Sequence, residues 1–286
     1  MPPAEHRVTS LTQFTQLVEQ ALTATRALSG ADPKFVNWYR GCGLANKHHL
    51  RPSLYRHPTI AAPTELLLLE KKMLEWFRRE SVLHQTINQY IDRDEPELEL
   101  LFFMQHYSVP TRLLDWTMNP YIALYFAVTA AEFDETIGEY VDDAAVWILN
   151  PSAWNEHSLA HVSWGTRGAL SIEDMEKDGY APRKDLDPVH VAGMYALPAA
   201  MRGIANSTRM FAQKGVFTIF GRDTTPMEVA FDAGYRAESL VKLVIEKNYI
   251  DPLMDSVISI GYTDSVSYPD LHGLAMEMRR TFGFKI

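Results

Sequence analysis

Apolar side chains recur every three or four residues along several stretches of the chain, which is the spacing of amphipathic helices. Ser10 precedes the first stretch and Gly30 follows it, as capping residues do. Pro110 ends a later one, because proline disfavours helical geometry at the residue before it. The predicted helices run from Ser10 to Gly30, Pro63 to Tyr90, Pro96 to Gln105, Tyr121 to Ala131, Asp251 to about Ile260 and about Pro269 to Phe282.

Shorter apolar runs bounded by glycine, proline or polar residues predict strands. Ala144 to Leu149 is the clearest, since it is apolar throughout and ends at Asn150-Pro151. The others are Phe35 to Tyr39, Thr111 to Trp116 as a strand or extended loop, Val216 to Phe220 and Leu240 to Ile245. We therefore predict an α+β fold with a central mixed, split β-sheet flanked by helices.

The chain divides into an N-terminal helix over residues 1–30 and a single domain over residues 31–286. Between Trp154 and Ala200 the periodic pattern is lost, and glycine, proline and mixed charges take its place. Such segments commonly hold ligand-binding loops. We expect a lid or an insertion near residues 151–205.

The composition narrows the class of protein. With 47% hydrophobic and 22% charged residues, the 286-residue chain resembles ordinary globular proteins. Its net charge of −9 argues against coating duplex nucleic acid by charge alone. The single cysteine, Cys42, excludes an internal disulfide and a cysteine-only zinc cluster. No secretory signal pattern and no membrane-length apolar run occur, so we expect a soluble, cytoplasmic protein with no membrane partner.

Polar chemistry is concentrated between two apolar runs, from Gln105 to Ala127. Its polar residues lie just ahead of a predicted helix, whose N-terminus favours an anion. In an extended segment alternate side chains share a face. Thr111, Asp115 and Thr117 share one face, and we expect them to contact the ligand. Arg112 lies on the other face and is expected to support them.

Two further polar groups lie at the ends of predicted strands. Arg40 is followed by Gly41, and a guanidinium beside a residue that admits close backbone approach suits a phosphate. Arg209 and Gln213 come just before the strand at Val216. Nucleotide-binding glycine loops, known metal-binding motifs and the nucleophile elbow are absent from the sequence, and we predict no metal site.

These polar residues also fit structural roles. Arg40 suits a solvated strand end, and Asp115 suits a buried salt bridge with Arg40 or Arg112. His106 fits a hydrogen bond in the core as well as proton transfer. Glu70 lies close to an apolar stripe, where it fits a partly exposed position or a pair with a buried arginine.

The motifs occur together in a recognisable set. The chain contains Tyr39-Arg40-Gly41, Leu50-Arg51-Pro52-Ser53-Leu54, Gln105-His106-Tyr107, Pro110 to Thr117 and Asn119 to Ala127. This set resembles the FRG domain, named for its Phe/Tyr-Arg-Gly motif. Arg209 with Ala212 to Thr218, and Tyr268 to Ala275, extend the resemblance over roughly residues 34 to 280. Because many members lie among prokaryotic defence genes, the resemblance implies a defence or toxin role and no particular reaction.

The order of the motifs also resembles the arginine-class ADP-ribosyltransferases. There an aromatic-Arg-Gly strand, a strand with hydroxyls and a late strand with a Gln-x-Glu element follow one another, and Gly215 stands where that glutamate would be. The resemblance implies an ADP-ribosyltransferase-like core with NAD as substrate. It assigns catalysis to Arg40, Asp115 and Gln213, NAD binding to Tyr39, Gly41, Thr111, Thr117 and Arg209, and support to His106 and Arg112.

Three functions fit these observations. The first is a nucleotide-utilising effector, a toxin or anti-phage defence enzyme that transfers ADP-ribose from NAD or cleaves NAD, with a protein or nucleic acid as its target. The second, favoured by Gly215, is a non-catalytic module that senses a nucleotide or a phage protein. The third is a metal-dependent nuclease using Asp115 and His106, for which no second carboxylate is suitably spaced. The sequence does not indicate the oligomeric state.

Overall fold

A computed structural model describes residues 2–29, 36–81, 98–165, 167–182, 186–203, 208–231 and 234–284. The strands in these ranges are β1 (Ala4–Val8), β2 (Trp38–Cys42), β3 (Leu113–Thr117), β4 (Phe133–Asp134), β5 (Glu139–Tyr140), β6 (Ala144–Leu149), β7 (Ala199–Met201), β8 (Gly215–Ile219) and β9 (Leu240–Ile245). The helices are α1 (Leu11–Ser29), α2 (Pro63–Glu80), α3 (Leu98–His106), α4 (Pro120–Thr129), α5 (Pro151–Ser158), α6 (Pro188–Gly193), α7 (Thr208–Ala212), α8 (Met227–Ala230), α9 (Ile250–Ser259), α10 (Asp264–Ser267) and α11 (Leu271–Thr281).

Seven strands form one mixed sheet in the order β1-β9-β6-β2-β3-β8-β7. β1 runs parallel to β9, and the other neighbours are antiparallel. β2 is paired with β6, and β3 with β8, along their whole lengths. In contrast, β2 and β3 are paired at one position, Tyr39 with Thr117. The predicted α+β class and mixed sheet are confirmed, and the two halves of the sheet meet at one point.

Separate apolar clusters pack against the two halves. On β2, β6 and β9, inward side chains such as Tyr39, Val146 and Leu243 pack with α1, α4 and α9. On β3, β7 and β8, Leu113 and Phe217 pack with α3. A third cluster, rich in tryptophan, contains Trp38, Trp116, Trp147 and Trp154. The boundary between the first two clusters follows the point where β2 and β3 diverge.

Two glycines let α4 approach the sheet closely. A Cβ at Gly41 would lie 2.1 Å from the carbonyl oxygen of Ala123, and one at Gly43 would lie 1.9 Å from that of Ala130. These neighbours are backbone atoms, so no side-chain rotation could relieve the clash. The close backbone approach expected at Gly41 therefore exists, but the approaching chain is α4.

Several predicted elements have the expected bounds, and others are shifted. β6 and β9 match the prediction at both ends, while β3 and β8 are displaced by one or two residues. β2 continues through Gly41 to Cys42, beyond its predicted end at Tyr39. The predicted strand start at Phe35, the helical part from 82 to 90 and the helix start at Pro96 lie outside the described residues.

Two regions contribute more to the sheet than their sequence patterns indicated. β1 is an edge strand that precedes the predicted N-terminal helix. In the segment from 151 to 205, β7 pairs with β8, and Leu159 and Trp164 are buried in the cluster around α3. Among the described helices, none combines the length and apolar character needed to cross a membrane.

Candidate functional site

A cavity of about 510 Å³ lies where β2 and β3 diverge. Arg40, Asp115 and Gln213, the three residues predicted to be catalytic, all line it. Five others from the predicted set also line it, namely Tyr39, Gly41, His106, Thr117 and Arg209. Thr111 and Arg112 lie outside its lining. The fold thus brings residues from β2, β3 and the turn before β8 to one place.

Arg40 joins the two halves of the sheet beyond their single pairing. Its Nη1 donates a hydrogen bond of 2.6 Å to the backbone carbonyl of Asp115. The contact leaves the Asp115 carboxylate to other partners, so the pair is not the side-chain salt bridge considered from the sequence. The Arg40 side chain is partly exposed at the cavity. Its charge is therefore placed beside the carboxylate without neutralising it by direct contact.

The Asp115 carboxylate is oriented by a short chain of hydrogen bonds. Gln105 donates from Nε2 to Asp115 Oδ2 at 2.6 Å. The Thr111 hydroxyl donates to Gln105 Oε1 at 2.5 Å and accepts from the backbone N–H of Leu113 at 3.1 Å. Thr111 is completely buried. Its predicted contact with the ligand is therefore wrong for this structure, since its hydroxyl positions Gln105.

The surroundings of Asp115 and His106 shift both groups towards their neutral forms. Asp115 is open to solvent through the cavity and enclosed by protein on its other sides, and this burial raises the pKa of its carboxyl, against the opposing charge of Arg40 and the hydrogen bond from Gln105. Burial lowers the pKa of His106, the charge of Arg209 lowers it further, and Asp115 opposes both. His106 is consequently neutral near pH 7.

Arg112 points away from the cavity into a buried ion pair. Its Nε lies 2.9 Å from Glu70 Oε2, and its backbone N–H donates to Glu70 Oε1 at 3.2 Å. Both side chains are at least 98% buried. The predicted supporting role of Arg112 in the site is corrected to a structural one. The pairing of Glu70 with a buried arginine, one of the two alternatives left open, is the one that forms.

Thr117 and Gln213 connect β3 to the turn before β8. The Thr117 hydroxyl donates to the backbone carbonyl of Gln213 and accepts from the backbone N–H of Asn119 at 3.0 Å. The Gln213 side chain donates from Nε2 to the Ser267 carbonyl at 2.8 Å. Asn119 in turn caps α4, accepting from the backbone N–H of Tyr121 at 3.0 Å. These contacts hold the end of the cavity next to α4.

An aromatic group supports Arg209 at the cavity wall. The Arg209 guanidinium lies 4.5 Å from the centre of the Tyr268 ring, a cation–π distance. Tyr268 packs edge-on against Phe126, which also lines the cavity. On the β2 side, burial raises the pKa of Tyr39 to about 12, so its hydroxyl stays protonated at neutral pH. Neutral aromatic surface and a guanidinium held against an aromatic ring thus both line the cavity.

Comparison with known families identifies part of this site. Residues 36–136 match the family model described as the FRG domain. The chain carries an FRG domain. The match covers about a third of the chain and includes Arg40 and Asp115, whereas Arg209 and Gln213 lie beyond it. Comparisons with curated proteins and with solved structures found no match.

Among the residues matched to the FRG domain, several line the cavity without being predicted site residues, and His48, Arg56 and Gln105 are the ones that bear on its chemistry. Gln105 precedes His106 in a motif that carried the family resemblance, which was the signal available for it. His48 precedes the Arg-Pro-Ser-Leu motif and Arg56 follows it, and both lie in an irregular segment. No periodic pattern marks residues in such a segment.

Charge is distributed unevenly in the cavity. Arg40, Arg56 and Arg209 line it, and Asp115 is the single acidic residue among the described residues that do so. This contrasts with the net charge of −9 for the whole chain. A cavity with an excess of guanidinium groups favours an anionic ligand.

Gly215, the first residue of β8, also lines the cavity and is paired with Thr117. A Cβ there would have its nearest neighbour, the Met210 carbonyl oxygen, at 3.6 Å, an ordinary contact. The position therefore has room for a side chain, and glycine is not required by packing. In the ranges described by the structure, no group of three His, Cys, Asp or Glu residues is placed to hold a metal ion.

Proposed function

We propose that the cavity binds a nucleotide and that the protein is a nucleotide-utilising effector enzyme, which transfers ADP-ribose from NAD or cleaves NAD. The observation that carries the proposal is the convergence of Arg40, Asp115 and Gln213 on one cavity of about 510 Å³. Its volume lies within the usual range for small-molecule sites. Its excess of guanidinium groups suits the two phosphates of NAD.

The reaction needs a group that stabilises positive charge at the anomeric carbon of the nicotinamide ribose. In the cleavage, the bond between that carbon and the nicotinamide nitrogen breaks, and neutral nicotinamide leaves with the electron pair. Water, or a nucleophile of the target, then bonds to the carbon and gives up a proton. Asp115 suits this role because its carboxylate faces the cavity and is held by Gln105.

Asp115 in this proposal also accepts the proton released by the attacking nucleophile. A carboxyl whose pKa is raised above its ordinary value is a better base than an exposed aspartate, and burial raises the pKa of Asp115. Arg40 holds the phosphates, and Gln213 binds a ribose hydroxyl through its amide. Neutral His106 donates or accepts one hydrogen bond beside them.

A non-catalytic role is the second candidate, because Gly215 leaves the cavity without the glutamate that the resemblance to ADP-ribosyltransferases calls for. In that case the same groups bind a nucleotide and the bound state is recognised by a partner. A role in toxin action or anti-phage defence rests on the family resemblance alone.

The test is to incubate the purified protein with NAD labelled in its adenylate phosphate, with and without cell extract. Nicotinamide release is measured by chromatography, and label transfer by gel electrophoresis. We expect Asp115→Asn and Arg40→Gln to lower the rate by roughly 100-fold or more. Asp255→Asn, on the exposed surface of α9, serves as the matched control and should retain the wild-type rate.

The outcomes separate the two candidates. Nicotinamide release that depends on Asp115 supports the enzyme. Calorimetric binding of NAD or ADP-ribose without release, in the presence of extract, supports the binding module and rules out the proposed reaction under these conditions. Absence of both release and binding would overturn the assignment of the cavity to a nucleotide.

A further inference from the structure

Beside Arg40, the cavity has a second basic group on a different element. Arg56 ends the 3-10 turn Leu54–Arg56, and both Arg56 and His48 line the cavity with Arg40. The turn is rigidly held, because the Leu54 backbone N–H donates to the Thr111 carbonyl at 3.1 Å and the buried Tyr55 hydroxyl donates to the Gly221 carbonyl. These contacts therefore fix the backbone from which the Arg56 side chain extends into the cavity.

The guanidinium groups here lie close together without acidic partners. Within the described residues, Arg40, Arg51 and Arg56 form no ion pair with a carboxylate. The Nε atoms of Arg40 and Arg51 are buried and have no hydrogen-bond partner. Burying unpaired donors and clustering like charges both cost stability. An arrangement of this kind is stabilised when an anion enters.

The charges of these groups act on one another. Burial lowers the pKa of Arg56, and the neighbouring charges of Arg40 and Arg51 lower it further. Burial also lowers the pKa of His48, followed by the charges of Arg40 and Arg56. Arg56 is thus near enough to Arg40 and Arg51 to be repelled by both, and burial together with the charges of Arg40 and Arg56 favours the neutral form of His48. This repulsion indicates that the described part of the protein does not balance the positive charges at this end of the cavity with carboxylates of its own.

We propose that Arg56 and His48 form a second anion subsite next to Arg40, so that the ligand of the cavity carries two linked phosphate groups. Arg40 on β2 contacts one phosphate, and Arg56 at the end of the 3-10 turn contacts the other. That the two phosphates belong to a nucleotide rests on the proposed function. It excludes nucleoside monophosphates as the preferred ligands.

The experiment is calorimetric titration of the whole protein with inorganic pyrophosphate, orthophosphate, ADP-ribose and AMP. We expect pyrophosphate to bind at least about 10-fold more tightly than orthophosphate, and ADP-ribose more tightly than AMP. Arg56→Gln should weaken pyrophosphate and ADP-ribose by about 10- to 100-fold and reduce the preference over the monophosphates. Arg56→Lys should recover part of the loss.

Arg79→Gln is the control, because Arg79 lies on the exposed surface of α2 and pairs with Glu80. Thermal unfolding checks that the variants fold, and Arg56→Gln should be at least as stable as wild type because a repelling charge is removed. Equal binding of pyrophosphate and orthophosphate, or unchanged pyrophosphate binding in Arg56→Gln, would overturn the subsite.

The experiments distinguish failure of the subsite from failure of the proposed reaction. Arg56-dependent binding of pyrophosphate without nicotinamide release supports the subsite and counts against the enzyme. Nicotinamide release that requires Asp115, with an unchanged KM for NAD in Arg56→Gln, supports the enzyme and overturns the subsite.

Discussion

The buried pair between Glu70 and Arg112 gives the sharpest test of which arginine belongs to the scaffold. Glu70→Gln removes one charge and leaves the Arg112 guanidinium, 1% exposed, without its counter-charge. Glu70 Oε1 accepts a hydrogen bond from the backbone N–H of Arg112 at 3.2 Å, and its Oε2 lies 2.9 Å from the Arg112 Nε in an ion pair. Because water does not reach either group, solvation of the remaining charge cannot replace the lost contact.

The expected loss is large for a single substitution. Removing one partner of a buried ion pair costs about 3–5 kcal/mol, out of a total folding free energy of about 5–15 kcal/mol. For a chain of this length, each kcal/mol lowers Tm by roughly 2–4 °C. We therefore expect Tm of Glu70→Gln to fall by roughly 6–20 °C.

The assay is urea unfolding followed by tryptophan fluorescence, together with thermal unfolding. Glu80→Gln is the matched control on the same helix, since Glu80 is 61% exposed and pairs with Arg79, 72% exposed. It should change stability by less than about 0.5 kcal/mol. The double variant Glu70→Met/Arg112→Met should regain part of the loss, because no unpaired charge is then buried.

A cost of less than about 1 kcal/mol for Glu70→Gln would contradict a structural role of the pair. So would a Glu70→Gln or Arg112→Met variant that keeps wild-type stability and loses nicotinamide release. That outcome would return Arg112 to the site.

Three further predictions concern the groups around the cavity. Gly41→Ala places a Cβ against the backbone of Ala123 and should cost about 1–3 kcal/mol in urea unfolding, whereas Gly215→Ala, with its nearest neighbour at 3.6 Å, should change stability by less than about 0.5 kcal/mol. The pKa of Asp115 is raised on folding, so its ionised form disfavours the folded state above the unfolded pKa, and Asp115→Asn should raise Tm at neutral pH with a smaller effect below about pH 4. A bound anion should raise the lowered pKa of His48, so pyrophosphate affinity should increase as pH falls from about 8 to 6 and should change less in His48→Gln, as measured by calorimetry.

For each of these three predictions, one outcome would contradict it. Equal stability of Gly41→Ala and Gly215→Ala would contradict the close packing of α4 on β2. A lower Tm for Asp115→Asn at neutral pH would indicate a carboxylate that stabilises the fold. For His48, the nearby carboxylates of Glu132 and Asp142 act against the two arginines. Identical pH profiles in wild type and His48→Gln would remove His48 from the subsite.

The sequence was most informative where one kind of physical interaction dominates. Ala144–Leu149 is completely apolar and buried at every position, and its bounds were predicted correctly. β1 was missed because four of the five residues in Ala4–Val8 are exposed, so burial leaves almost no pattern in this edge strand. Its place in the sheet depends on backbone pairing with β9, which side-chain patterns do not report.

In the candidate site, too, some residues follow a sequence pattern and others do not. Strand alternation correctly separated Asp115 and Thr117 from Arg112, because all three lie in or next to β3. It failed at Thr111, which lies before the strand begins at Leu113, so the alternation does not extend to it. Arg56 could not be predicted as part of the cavity, since its position depends on packing of a short turn against distant residues.

The single pairing of Tyr39 with Thr117 also bears on how the protein unfolds locally. The two halves of the sheet have separate hydrogen-bond ladders, and two of the apolar clusters each belong to one half. The tryptophan-rich cluster contains residues of both halves, among them Trp38 and Trp116, so opening either half also disrupts this shared core. Arg40 belongs to one half and Asp115 to the other. A ligand held by both side chains would add its binding energy to the cost of separating the halves, and amide hydrogen exchange would slow in both.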